Sequence, residues 1–184
     1  MASIRPDVAT KVSTNGKQEA CFDHIREIDI VLVAQLFVES YYPALNSHRE
    51  KLASFYTPAA SMPDGKPIPI ITWNGSFVPD PATLQQMFEE QFPQSRYVVQ
   101  SYDCHVLNPD YNPDARQGRD VASGKYMSIV LTVSGNVKYG AARNTDPRGF
   151  SESFVLVPTG EADNQKERHP SSWLVQSQNF RLVV

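Results

Sequence analysis

Between residues 127 and 139 apolar and polar side chains alternate almost without interruption. Met127, Ile129, Leu131, Val133, Val137 and Tyr139 fall on one side, and Tyr126, Ser128, Val130, Thr132, Ser134, Asn136 and Lys138 on the other. A repeat of two marks a strand with one buried face, because successive side chains of an extended backbone point to opposite sides. Residues 97–107, 150–157 and 173–184 read as three further strands. Everything after Pro93 is therefore expected to be sheet, a four-stranded antiparallel meander. A sheet with one apolar face needs a layer packed against it, and the first half of the chain must supply that layer.

Residues 23–45 carry the main candidate. The run Ile28-Asp29-Ile30-Val31-Leu32-Val33-Ala34-Gln35-Leu36-Phe37-Val38 is apolar on nearly every side, which predicts a helix covered over most of its circumference. Its β-branched content leaves a strand as the competing reading, and its length favours helix. Pro43 is expected to close it. Ser47-His48-Arg49-Glu50 has capping-box spacing, a hydroxyl for the third residue's amide and a carboxylate reaching back; it would open a short helix with Leu52, Phe55 and Tyr56 on one face. The Pro-rich stretch 58–69 is non-helical. Ile68-Pro69-Ile70-Ile71-Thr72-Trp73 reads as an edge strand, since Pro69 has no amide for a ladder. Asn74-Gly75 reads as a tight hairpin turn, both residues tolerating positive φ. Asp80-Pro81 reads as an N-cap followed by Pro at the first helical position, opening a third helix with Leu84, Met87 and Phe88 on one face. Polar segments at 108–124 and 158–170 are expected to be long loops. Residues 1–20 are expected to be a flexible N-terminal segment, leaving 21–184 as one domain.

The 184 residues, 41% hydrophobic and 20% charged, suit one globular domain with a real core. A net charge of −3 lacks the basic excess of a chain that grips nucleic acid unaided. Cys21 and Cys104 make no disulfide framework. Residues 1–16 contain no apolar stretch fit for a secretory signal, and no run of about 18 apolar residues could span a membrane. A soluble protein in a reducing compartment is expected. Three helices can cover only one face of so long a sheet. The other face is expected to stay open, holding Val130, Tyr126 and, from the last strand, Leu174, Phe180 and Leu182; a semi-apolar open face commonly marks a partner.

Particular residues in this order carry a resemblance. Phe37-Val38-Glu39-Ser40-Tyr41-Tyr42 with the 49–56 helix, Thr72-Trp73-Asn74-Gly75, and Leu84-Gln85-Gln86-Met87-Phe88 come first. Tyr102-Asp103-Cys104, Ser134-Gly135-Asn136-Val137-Lys138, Phe150 with Phe154-Val155-Leu156, and Trp173 with Phe180-Arg181 follow. Together they resemble the small subunits of heterodimeric mRNA export receptors, of the nuclear-transport-factor-two-like family, over residues 33–184. The loops after Asn108 and Pro158 depart from the compact animal form and look fungal. The resemblance implies an α+β, cone-shaped domain with three helices packed on a strongly curved antiparallel sheet. It implies pairing with a similar domain of a large export receptor subunit and passage through nuclear pores on Phe-Gly-repeat nucleoporins. The cargo would be mRNA and, in fungi, pre-ribosomal particles. Catalysis, cofactor, metal and membrane are not expected; shuttling between nucleus, pore and cytoplasm is.

Asp103 is the leading site residue. A carboxylate is a poor β-former and must be solvated or paired; its parity partners Ser101 and His105 are polar, whereas Tyr102, Cys104 and Val106 look like the core set. The resemblance implies that Asp103 pairs with an Arg or Lys of the partner. Ser128, Val130, Thr132, Gln176 and Gln178 are assigned to the same open face as a mixed interface. Arg116, Arg119, Lys166 and Arg168, in the two loops, would add a weak RNA contact in the dimer. Trp73, Trp173, Tyr41 and Tyr42 read as core rather than a ligand cage. His24, His48, His105 and His169 share no metal spacing, and Cys21 with His24 is too little for zinc. Two rivals remain. An isomerase or dehydratase of the same fold needs a pocket carboxylate with a phenol or His donor; Met127-Ile129-Leu131-Val133 offers none, leaving Glu152 and Asp103. A homodimeric carrier of Ran-GDP is the other.

Overall fold

The computed structural model describes residues 12–62, 65–109, 111, 127–140, 146–159 and 173–183, with the backbone alone for 12–29. Helix α1 runs Val12–Ser47, so it begins inside the segment expected to be flexible. From Ile30 onward its buried side chains recur at helical spacing: Ile30, Val33, Ala34, Phe37, Val38, Tyr41, Tyr42, Ala44 and Leu45. The all-round covering expected for this helix does not hold, because Val31 and Leu32 are 51% and 43% exposed. Nor does Pro43 end it. Pro43 is exposed and lies inside the helix, while the burial of Ala44 and Leu45 holds the following turn in place against the loss of one backbone hydrogen bond.

Because α1 continues to Ser47, that hydroxyl is not free to start the next element. Arg49–Phe55 forms a 3₁₀ helix whose N-cap is His48, without a side-chain cap bond; the capping box is not formed. Leu52 and Tyr56 are buried and Phe55 is half-buried. A two-stranded hairpin follows, β1 (Ala60–Ser61) with β2 (Pro67–Ile68). Then come β3 (Ile70–Trp73) and β4 (Ser76–Val78), joined at Asn74 and Gly75 with φ of 50° and 86°, the two positive values a tight hairpin turn needs. Asp80 caps α2 (Pro81–Gln86), its Oδ1 accepting from the Thr83 amide at 2.7 Å, and the helix widens into a π turn over Met87–Gln91.

The four long strands are β5 (Ser95–Asn108), β6 (Ser128–Tyr139), β7 (Arg148–Pro158) and β8 (Trp173–Val183). They form the expected antiparallel meander within a six-stranded sheet of order β4-β3-β8-β7-β6-β5. The expectation that β3 is an edge strand is corrected. It is an inner strand between β4 and β8, and it runs parallel to β8; Pro69 avoids the ladder by lying just before the strand. Register shifts interrupt β5 against β6 at Val99/Ser101 and Val106/Asn108, and β7 against β8 at Val155/Leu156. Bulges of this kind bend and twist a sheet, and the sheet curves around the helices.

The core lies between helices and sheet. Phe37 and Tyr41 pack on Phe154, and Trp73 stacks on Phe180 with centroids 3.9 Å apart and on Phe88 edge-to-face. The Arg49 guanidinium ties the 3₁₀ helix to the end of the π turn, donating to the carbonyls of Phe88, Phe92 and Pro93 and to Ser95 Oγ. Trp73, Tyr41 and Tyr42 are buried and the partly buried Trp173 packs against the core, so the aromatic set is core, as the sequence suggested.

Candidate partner-binding face

Residues directly opposite on neighbouring strands share a face, so the register defines the side turned away from the helices. One row runs Asp103–Thr132–Ser153–Asn179–Thr72–Phe77. Rows beside it read His105–Val130–Val155–Ser177–Ile70 and Ser101–Ser134–Ser151–Arg181. Another reads Val98–Asn136–Gly149–Val183. Asp103, Ser101, His105 and Thr132 are exposed and Val130 is half-buried, so five of the predicted residues meet on one surface. Phe77, Val98 and Val183 are exposed there too, at 56%, 49% and 56%. The side chain of Asp103 is held in place: its Oδ1 accepts from the Cys104 amide at 2.9 Å and its Oδ2 lies 3.0 Å from His105 Nε2. Ser101 and Ser134 hydroxyls bond at 2.7 Å.

Three predicted residues do not belong with these. Ser128 has the right parity but is buried at 3% exposure. Gln176 is the extra residue of the β8 bulge, lying between Ser177, opposite Val155, and Val175, opposite Leu156. That one extra residue reverses every side chain beyond it. Gln178, Phe180 and Leu182 therefore turn to the core, Gln178 and Phe180 fully buried, and the placement of all three on the open face is corrected. The signal was present in the sequence: Val175 and Phe180, both apolar, stand an odd number of residues apart. Arg116, Arg119, Lys166 and Arg168, like Tyr126, His24, Cys21 and His169, lie outside the residues whose side chains are described. Among the described residues no group of three His, Cys, Asp or Glu could hold a metal, and no helix is long and apolar enough to cross a membrane.

The reading of the residues underrated a carboxylate on the helix side. Glu152, on β7 between Phe150 and Phe154, is 0% exposed. Its Oε2 accepts from the Tyr42 hydroxyl at 2.6 Å and its Oε1 from Gln178 Nε2 at 2.5 Å. Burial pushes its carboxyl from 4.5 up to about 7, against the lowering effect of those two donors. Burial likewise drives the phenols of Tyr41 and Tyr42 far up, so they stay neutral donors. A carboxylate beside phenols is what the enzymatic rival requires. Glu152 is 0% exposed, and its two carboxyl oxygens are bonded to Tyr42 and Gln178.

The model of the nuclear transport factor 2 (NTF2) domain family matches residues 33–182. The chain is 26% identical over 156 residues to nuclear transport factor 2 of Oryza sativa subsp. japonica, covering 84% of this chain and 98% of that protein. Its fold is similar to a chain in the Chaetomium thermophilum Mex67 NTF2-like domain complexed with Mtr2, with a TM-score of 0.64, 29% identity, and 83% and 97% of the two chains covered. A structure of Mtr2 matches with a TM-score of 0.62 at 28% identity over 83% and 98%. A Mex67:Mtr2 complex with a bound Sac3N peptide matches at 0.60 and 30% over 82% and 97%. The chain belongs to the NTF2 domain family, and within it has the fold of Mtr2.

Proposed function

We propose that this chain is the small, non-catalytic subunit of a heterodimeric mRNA export receptor, pairing through its open sheet face with the NTF2-like domain of a large subunit. The observation that carries the reading is that face, where exposed Val98, Phe77 and Val183 flank a fixed Asp103–His105 pair on a sheet already filled from the other side. The likeness to chains of Mex67:Mtr2 complexes supports it. On this reading Asp103 meets an Arg or Lys of the partner, and the dimer crosses nuclear pores on Phe-Gly repeats between nucleus and cytoplasm. RNA binds mainly through the dimer, and pre-ribosomal particles are a second cargo.

Co-expression with the NTF2-like domain of a Mex67-type subunit and, separately, incubation with Ran-GDP, each followed by sizing, tests this. A stable 1:1 complex with the first and none with the second is the expected result. The likeness to the rice protein favours the carrier as the second reading, and a homodimer that retains Ran-GDP would replace the first.

A further inference from the structure

The hydrogens around Gln178 follow from the bonds alone. Gln178 Nε2 reaches Tyr41 Oη at 2.9 Å and Glu152 Oε1 at 2.5 Å, which uses both of its protons. Tyr56 donates to Gln178 Oε1 at 2.5 Å, leaving Tyr41 to donate to Tyr56 at 3.0 Å. The Tyr42 hydroxyl lies 2.6 Å from Glu152 Oε2. Oε1 therefore accepts, and the network closes with Glu152 ionised when Oε2 accepts from Tyr42, or neutral when Oε2 donates to it. Yet no cation bonds to Glu152 among the described residues. The groups that feel it are the phenols of Tyr41 and Tyr42 from α1, Tyr56 after the 3₁₀ helix, Tyr97 of β5 and Tyr139 of β6. Arg148 acts on Tyr139 and does not figure among the influences on Glu152. An ion 0% exposed in an uncharged cage has a strong drive to take up a proton.

We propose that Glu152 and Tyr42 form a proton-operated latch between α1 and the sheet. In the ionised state Tyr42 donates to Oε2. When Oε2 binds a proton from solvent, it becomes the donor, the bond to Tyr42 reverses, and the Tyr42 proton loses its acceptor. Neutralisation thus acts on α1 through Tyr42, which bonds the carboxyl directly.

The folded carboxyl holds its proton more tightly than the unfolded one, 7 against 4.5. Its contribution to stability is therefore complete below about pH 4.5, declines as pH rises, and is gone above about 7. The full swing is about 300-fold in the folding equilibrium. Thermal unfolding of the wild type and Glu152→Gln from pH 5 to 8 reads this directly. The wild-type midpoint should fall with rising pH relative to the variant; parallel curves would overturn the latch. If the variant does not fold, ¹³C titration of the wild-type glutamate carboxyls decides. One should titrate near 7, and Tyr42→Phe should raise it further by removing a donor to the ion. Glutamates that all titrate between 4 and 5 would also end the idea. The result is independent of any partner, so it stands or falls apart from the pairing above.

Discussion

Gly135 shows how much one residue can be asked to do in this sheet. A Cβ there would stand 2.2 Å from the Val98 carbonyl oxygen and 2.9 Å from the Phe150 ring. The first obstacle is backbone of the neighbouring strand, next to the bulge at Val99/Ser101, and it cannot retreat without breaking the ladder. Gly135→Ala should cost about 1–3 kcal/mol as overpacking does, read as a lower denaturation midpoint at unchanged slope. Asp103 lies at the opposite extreme. Its side chain is 75% exposed, so Asp103→Arg should leave the isolated fold intact. Against a basic partner residue it places like charge on like in the interface, and co-elution with the large subunit should be lost. Retention at wild-type affinity would remove Asp103 from the interface.

At the level of elements, local chemistry was reliable wherever a side chain acts on its own neighbours. Asp80 caps α2 with both carboxylate oxygens, to the Thr83 amide and hydroxyl. Asp80→Ala should therefore cost about 1 kcal/mol, measurable by denaturation, and the substitution lies off the open face. Asn74-Gly75 makes the turn it spells, and Asn74 also accepts from the Leu182 amide at 2.9 Å, fastening the hairpin to β8. Local signals failed where a distant surface outweighed them. Pro43 does not end α1, because the residues just after it are buried, and the potential cap Ser47 is consumed by the helix it was meant to follow.

For the molecule as a whole, one face of the sheet is filled and the other is open with Phe77, Val98 and Val183 exposed. Obligate interfaces commonly bury more than about 2,000 Å². The chain alone should accordingly self-associate or dissolve poorly, and sedimentation should show a clean 1:1 species only with the partner present. A well-behaved monomer at micromolar concentration would argue against pairing. Net charge −3 supplies no general attraction for phosphate, so RNA binding by the chain alone should be weak and fall steeply with salt, about one power per neutralised phosphate. Filter binding at two salt concentrations, with and without the large subunit, measures both. Tight, salt-resistant binding by the lone chain would contradict the role assigned to the dimer.

The sequence by itself determined what depends on near neighbours. The four long strands, the turn at Asn74-Gly75, the cap at Asp80 and the parity of Ser101, Asp103 and His105 all follow from spacings a few residues long. Only the tertiary structure decided matters of register and burial. The bulge in β8 exists because two strands must stay paired while the sheet bends, and it carries Gln178, Phe180 and Leu182 from the open face into the core. The parallel docking of β3 beside β8 joins segments far apart in the chain, and nothing in either segment specifies the direction. Glu152, between two serines, reads in the sequence only as a carboxylate left to the enzymatic alternative, with no sign that it would be buried. Its burial comes from α1, the 3₁₀ helix and β8 closing around it, and a period-two pattern names the face a side chain takes but not what will meet it there.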